Sequence, residues 1–209
     1  MKEKFAITIG RQFGSGGREF GRTLAAELGI AYYDKELLTQ AADNAGMSRE
    51  FFEKNDERSP SFLSGLLCFN MGGFPTLNYP GSNSISDDTL YRSQSDIIRE
   101  LYDRGPCVIV GRTADYVLRD CENVINIFIH APEEECVKRI LRRGEIKDHD
   151  KARDKARRTN RLRAAYYNFY TDKQWGDAAS YHITIDSSLI PIPQAARIIA
   201  GVIREKFAD

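Results

Sequence analysis

No stretch of this sequence approaches the ~18 consecutive apolar residues that a membrane-spanning helix requires. The opening, MKEKFAITIG, lacks an apolar h-region and a small-residue cleavage pattern. A soluble, cytoplasmic chain is therefore expected. Neither sign of charge is in excess, since 30 Lys and Arg balance 30 Asp and Glu. That removes a global electrostatic case for nucleic acid or an acidic membrane as partner. Cys68, Cys107, Cys121 and Cys136 share no C-x-x-C spacing, and two lie in apolar or helical patterns. Reduced structural thiols are expected in place of metal ligands or disulfides. His130, His149 and His182 do not converge on a metal-ligand or triad spacing, and no Ser-His-Asp or Cys-His set appears. Internal repeats are also missing.

What remains is a globular composition, 42% hydrophobic and 29% charged over 209 residues, enough to bury a core without staples. The chain is organised around Phe5 to Leu28. An apolar run, Phe5-Ala6-Ile7-Thr8-Ile9, leads into the turn Gly14-Ser15-Gly16-Gly17, and Phe20, Leu24 and Leu28 then recur four apart as on one helix face. Strand, glycine turn and helix make a phosphate cradle: the backbone approaches an anion closely, N–H groups point inward, and the helix start adds a positive dipole end. A tight connection that needs close packing is the plainer alternative. The turn approaches the pattern G-x-x-x-x-G-K-[ST] without meeting it. With Gly16 as the last glycine, Arg11 replaces the first glycine, Gly17 the lysine and Arg18 the hydroxyl residue.

Downstream, Gly29 suits a helix end, residues 30–33 a short strand, and Asp34 the cap of a helix ended by Gly46, with a shorter helix from about Ser48. From Asn55 to Asp88 the chain is rich in Ser, Gly, Pro and Asn yet carries Phe62, Leu66, Phe69, Phe74 and Tyr79, and is expected to be a mobile flap over something. A helix is predicted over 89–103, buried strands over 107–110 and 124–129, a helix from Pro132 at N1 to Arg142 and Arg143 with Gly144 beyond, a strand over 181–185 and a closing helix over 193–207. Strands alternating with helices imply a doubly wound parallel sheet, whose ligands bind at the carboxyl ends of the strands. The glycine turn, Asp34, Arg112 and Asp186 all follow strands at that edge.

Lys138 to Arg163 holds 12 Lys/Arg against 4 Asp/Glu. Arg153, Arg157 and Arg161 fall at i, i+4 and i+8, a stripe of like charge that repels itself unless an anion lies opposite. Arg112, after Gly111, suits a phosphate oxygen pair. Asp34 is either an N-cap or a ligand contact, and Asp186-Ser187-Ser188 either a turn or another cap. Tyr166, Tyr167 and Tyr170 fit stacking platforms for RNA or packing of the helix onto the core.

ITIGRQFGSGGREFG, LGIAYYDKELL, PCVIVGR, VINIFIHAPEEECVKRILRR and ITIDSS together resemble the cytidylate kinase-like family of P-loop nucleoside monophosphate kinases, in its divergent GSGGRE branch. The resemblance covers most of the chain. It implies a three-layer P-loop fold in one domain, with a core of about 1–54 and 89–209, a monophosphate-binding insertion of about 34–104 and a helical basic lid of about 142–163. It also implies ATP and Mg²⁺, with γ-phosphoryl transfer to CMP, dCMP or a related acceptor. Gly14, Ser15, Gly16, Gly17, Arg18 and Glu19 would hold the ATP phosphates, and Asp34 and Arg112 the monophosphate. Arg139, Arg142 and Arg143 would stand at the lid base, and Asp186 and Ser187 near the adenine. Arg11, Arg18, Arg153, Arg157 and Arg161 are the candidate catalytic cations, and Ser15 the candidate metal contact. A nucleotide-binding regulator and an RNA-binding module are the alternatives, and the flap's apolar groups suggest a homodimer contact.

Overall fold

The computed structural model describes residues 2–34 and 84–208. The helices expected between 34 and 53, the flap up to residue 83, Cys68 and the suggested dimer contact lie outside the described residues.

β1 (Ala6–Arg11), β2 (Ala31–Tyr33), β3 (Cys107–Val110), β4 (Val124–His130) and β5 (Ile183–Asp186) form one sheet in the order β2-β3-β1-β4-β5. Every pairing in it is parallel. β1 is central because its apolar run can be covered on both faces. Ile7 and Ile9 pack with Leu24 of α1 (Gly17–Leu28) and with Ala196, Ala200 and Ile203 of α6 (Ile192–Lys206). On the opposite face, Ala6 and Ile109 meet Ile97, Ile98 and Leu101 of α2 (Ser84–Asp103) and Leu118 beyond α3 (Ala114–Val117). α4 (Glu133–Arg142) and α5 (His149–Tyr170) pair through Val137, Ile140, Ala152 and Ala156, a smaller cluster that also seats Phe13 of the glycine turn.

Phe20, Leu24 and Leu28 are buried as their spacing predicts, and Gly29 ends α1 with φ 66°. Several elements differ from expectation; β5, for one, starts at Ile183 and not at 181. α2 starts at Ser84, so the segment placed in the flap up to Asp88 is helical at its end. Pro132 is not N1: its ψ of 143° keeps it outside α4, where its carbonyl accepts the N–H groups of Glu135 and Cys136. α3 was not anticipated, being a single turn after a chain reversal at Gly111. Cys107, Cys121 and Cys136 are free thiols, and burial raises the pKa of Cys107 and Cys136. Among the described residues no helix is long and apolar enough to cross a membrane.

Candidate functional site

β1 delivers Arg11 to the carboxyl edge of the sheet, and the chain turns through residues 12–16 into α1. Gly14 and Gly16 take left-handed conformations, with φ of 82° and 84°. The turn is fixed from behind. Phe13 donates its N–H to Asn160 Oδ1 on α5 (2.7 Å), and Gln12 Oε1 accepts the N–H of Ala131 (3.1 Å). Arg139 donates through Nη1 to the Ser15 carbonyl (3.2 Å) and through Nη2 to the Ser187 carbonyl (2.7 Å). The Ser187 hydroxyl also reaches the Ser15 carbonyl, at 2.6 Å. With its back bonds made, the turn offers its front and the N-terminal end of α1 to a ligand.

That front opens on a cleft of about 350 Å³ between the ends of β1 and β3 and the inner face of α5. Arg11, Arg18, Arg112 and Arg163 all line it. Arg11 is the most constrained. Its aliphatic stem fills the space that Gly17 leaves open, since a Cβ at position 17 would stand 2.5 Å from Arg11 Cβ. Its guanidinium lies against Gly111. Burial first, and then the charges of Arg163, Arg112 and Arg18, hold the Arg11 pKa well below the ordinary arginine value. Burial lowers that of Arg112 too. Arg163 donates Nη1 to the Arg11 carbonyl (3.2 Å) and stands 5.6 Å over the ring of Phe13. Such a cluster is unfavourable in isolation and favourable around a polyanion.

Arg18 takes a different course. Its Nε is 3.4 Å from Asp34 Oδ2, and the Tyr32 hydroxyl donates to the same oxygen (3.2 Å). Burial, then Asp34, push the Tyr32 phenol up to about 12. Asp34 itself is buried, and the helix it would cap lies outside the described residues. Asp186 forms a turn, accepting the Ser188 N–H (2.8 Å) and hydroxyl (2.7 Å), which hold its carboxyl below the usual range. Neither Asp186 nor Ser187 lines the cleft. Glu19 and Arg142 are exposed and outside it, whereas Arg143, beyond α4, is on its rim.

The arginine stripe does not face the cleft. Arg157 forms a two-pronged pair with Glu133 (2.7 and 2.8 Å), and Arg153 reaches Glu134 at 2.6 Å and Asp150 at 3.4 Å. The anion opposite these arginines is thus the acidic first turn of α4. Arg161 is exposed. Arg163, two residues on, is turned by about 200° around the helix; with Thr159 and Tyr166 it makes the inner face of α5. The i, i+4 signal therefore picked out the outer face, and a spacing of four and three from Thr159 to Arg163 to Tyr166 would have found the inner one. Tyr167 is buried, and Tyr166 and Tyr170 pack with Tyr91, Tyr170 stacking on it at 4.0 Å, which is the packing alternative for these rings. Sequence reasoning also missed Asp115 and Tyr181 as lining residues, and named Tyr167 only as a stacking or packing ring, for the three come from separate segments.

Ser15 is fully buried and its hydroxyl donates to the Gln12 carbonyl (2.9 Å). Among the described residues no group of three His, Cys, Asp or Glu is arranged to hold a metal ion. The cradle and its arginines do fit a polyphosphate.

A crystal structure of an uncharacterized protein from Eubacterium ventriosum is 26% identical, with 96% of this chain and 98% of that one aligned at a TM-score of 0.70. Shikimate kinase from Acinetobacter baumannii (14% identity, 100% and 97% covered, TM-score 0.52) and a gluconokinase from Sinorhizobium meliloti (14%, 99% and 95%, 0.52) share the fold. A search of curated proteins found no match. The model of the cytidylate kinase-like family matches residues 6–189, a span that runs from β1 through the glycine turn, the Gly-Arg end of β3 and the basic helix to the loop after β5. The glycine-turn chain with its parallel sheet therefore belongs to the cytidylate kinase-like family, on a P-loop kinase fold.

Proposed function

We propose that the protein is a phosphotransferase that moves the γ-phosphoryl group of ATP to CMP, dCMP or a related small phosphate acceptor. One observation carries this: four arginines from β1, α1, the end of β3 and α5 converge on the cleft at the front of the glycine turn. Transfer through a loose transition state asks little covalent chemistry of a protein. It asks for in-line positioning, neutralisation of charge on the transferring oxygens, and exclusion of water. Arg11 occupies the room that a side chain at position 17 would need, so it is the natural bearer of the missing lysine's charge. Arg112, on the β3 side, suits the acceptor phosphate, and Arg163 suits the bridge between the two. Arg18, tied to Asp34, stands beside them. The cradle N–H groups and Arg11 would hold the ATP phosphates. Mg²⁺ in such a complex would travel with the nucleotide, supplying further neutralisation of the phosphates.

The test is ADP release from ATP and Mg²⁺ in the presence of CMP, dCMP and a panel of other small phosphates. Turnover with one of them is expected. None with any, by protein that binds ATP, would count against transfer to that panel.

A nucleotide-binding regulator without transferase activity is a second possibility. The burial of Ser15, together with Arg18 at the usual hydroxyl position, favours it by leaving the turn no hydroxyl for Mg²⁺. It predicts thermal stabilisation by ATP with no ADP release.

A further inference from the structure

β1 runs on past one of its two neighbours. Its register with β3 ends at Ile9 and Val110, with the Gly111 N–H donating to the Ile9 carbonyl at 3.0 Å. There β3 departs: Gly111, Arg112 and Thr113 have φ of 84°, 62° and 51°, three left-handed residues in a row that reverse the chain. On its other side β1 keeps its partner, with Arg11 in register with Ile129 and the Gln12 N–H donating to the Ile129 carbonyl at 3.0 Å. Successive residues of an extended chain turn their backbone groups to opposite sides. The Arg11 carbonyl and the Phe13 N–H therefore face the side that β3 has left.

Side chains of α5 meet both groups. Asn160 Oδ1 accepts the Phe13 N–H at 2.7 Å, and Arg163 Nη1 donates to the Arg11 carbonyl at 3.2 Å. Residues three apart on a helix are neighbours on its surface. Their acceptor and donor make the two bonds that one residue of a parallel strand would make to the residues flanking Gln12. Arg163 also stands 5.6 Å over the Phe13 ring, which packs into the small cluster between α4 and α5. Thr159 and Arg163 line the cleft, whereas Asn160 does not. Its route to a ligand runs through the backbone that it holds.

We propose that Asn160 is a positioning residue for the phosphate cradle: with Arg163 it stands in for a longer β3, and so fixes the peptide groups of residues 11–13 that lead into the glycine turn. A longer β3 would pair the same groups, but it would run through the space where Arg112 now reaches the cleft. Side chains from a helix satisfy those groups and leave the front of the turn open. Without the Asn160 oxygen a part-buried N–H is stranded, a larger penalty than the net gain of the bond, and the turn's backbone shifts to relieve it. The proposal rests on polyphosphate binding at the cradle, one part of the phosphotransferase reading, and not on transfer.

The experiment measures binding of ATP and of inorganic tripolyphosphate to the full chain by calorimetry, well below the melting temperature, with ADP release recorded in parallel. Asn160→Leu keeps the volume and removes the acceptor, so both ligands should bind about tenfold more weakly and by the same factor. Asn160→Ala, a good helix former, gives the same comparison if Asn160→Leu does not fold. Asn160→Asp keeps the acceptor oxygen; at about 0.5 M salt, where its added charge is screened, it should bind ATP within about threefold of the wild type. Asn160→Leu with Arg163→Ala should lose less than the product of the single losses, because each change opens the same edge. A role in stability alone would lower the melting temperature and leave the affinity of the folded chain unchanged, which would overturn the proposal. Equal losses in Asn160→Leu and Asn160→Asp, or single losses that multiply, would overturn it too. The expected affinities without ADP release would remove the transfer function and leave Asn160 its role, whereas ADP release with wild-type ATP affinity in Asn160→Leu would do the reverse. Binding of neither ligand to the wild type would overturn both.

Discussion

The guanidinium of Arg11, at the end of β1, lies against Gly111, at the end of β3, in the space that a methyl group at position 111 would take. Gly17 gives way to the same side chain from the other side. Two glycines distant in sequence are thus complementary to one arginine, which is how this chain places a cation at the cradle without a lysine. Gly111→Ala should displace that cation and strain a φ of 84°. A loss of roughly 1–2 kcal/mol is expected from the left-handed backbone, with ATP affinity falling about tenfold or more as the arginine moves. Titration of ATP against the variant checks this; wild-type affinity would mean that the position of Arg11 is immaterial.

Arg11 is charged in a half-buried place among like charges, so it costs stability when no anion is bound. Arg11→Met keeps most of the volume and removes the charge. The ligand-free variant should melt several degrees higher, on the order of 1–2 kcal/mol, as expected when a poorly compensated buried charge is replaced by an apolar group. Turnover should fall by roughly 10²–10³, the usual effect of removing one electrostatic donor. Scanning calorimetry and the ADP-release assay read the two halves separately, and a lower melting temperature would contradict the first.

The two faces of α5 should behave differently. Arg163→Ala opens the cleft and should cost about 10² in turnover. Arg153→Ala and Arg157→Ala lose solvent-screened surface pairs with Glu134 and Glu133, and should leave turnover within about threefold. Equal losses from all three would place the outer stripe in the reaction as well.

Acid and base act on stability with opposite signs at two places. Arg157 and Arg153 hold the carboxyls of Glu133 and Glu134 below the ordinary glutamate value, so their contribution is present above ~4.3 and is lost as pH falls through the lowered values. Burial raises the Asp115 carboxyl, so its contribution is present below ~3.9 and is lost as pH rises through the raised value. Melting temperature against pH should therefore flatten on the acid side in the Glu133→Gln, Glu134→Gln double variant. In Asp115→Asn the decline specific to that carboxyl, as pH rises through its raised value, should vanish. The first effect should shrink in high salt, because those glutamate–arginine pairs are exposed.

Much of the fold was legible because local sequence and burial agree. CVIV and VINIFIH are apolar throughout since both faces of a central parallel strand are covered, and Phe20, Leu24 and Leu28 mark one face of α1 because that face meets the sheet. The glycine turn and Arg112 were legible for the same local reason, sitting directly after strands. The arginine stripe was legible as a stripe but not in its purpose: helical spacing gives a face, and only packing of α5 on α4 says that Glu133 and Glu134 answer it. Pro132 misled by one residue because its fixed φ suits the helix start and the position just before it alike.

The sequence by itself determined the sheet's strands, the cradle at its edge, the absence of a P-loop lysine and the resemblance to a kinase family. Each is written in contiguous residues, where periodicity, glycine and charge act over a few positions. Only the tertiary structure decided that Arg11 fills the space left by Gly17 and Gly111, that Arg163 and not Arg161 enters the cleft, and that Asp115, Tyr167 and Tyr181 line it. Those relationships join residues as far apart as 11 and 163, and the direction of a side chain across such a gap is set by how helices pack on the sheet, which no local pattern encodes.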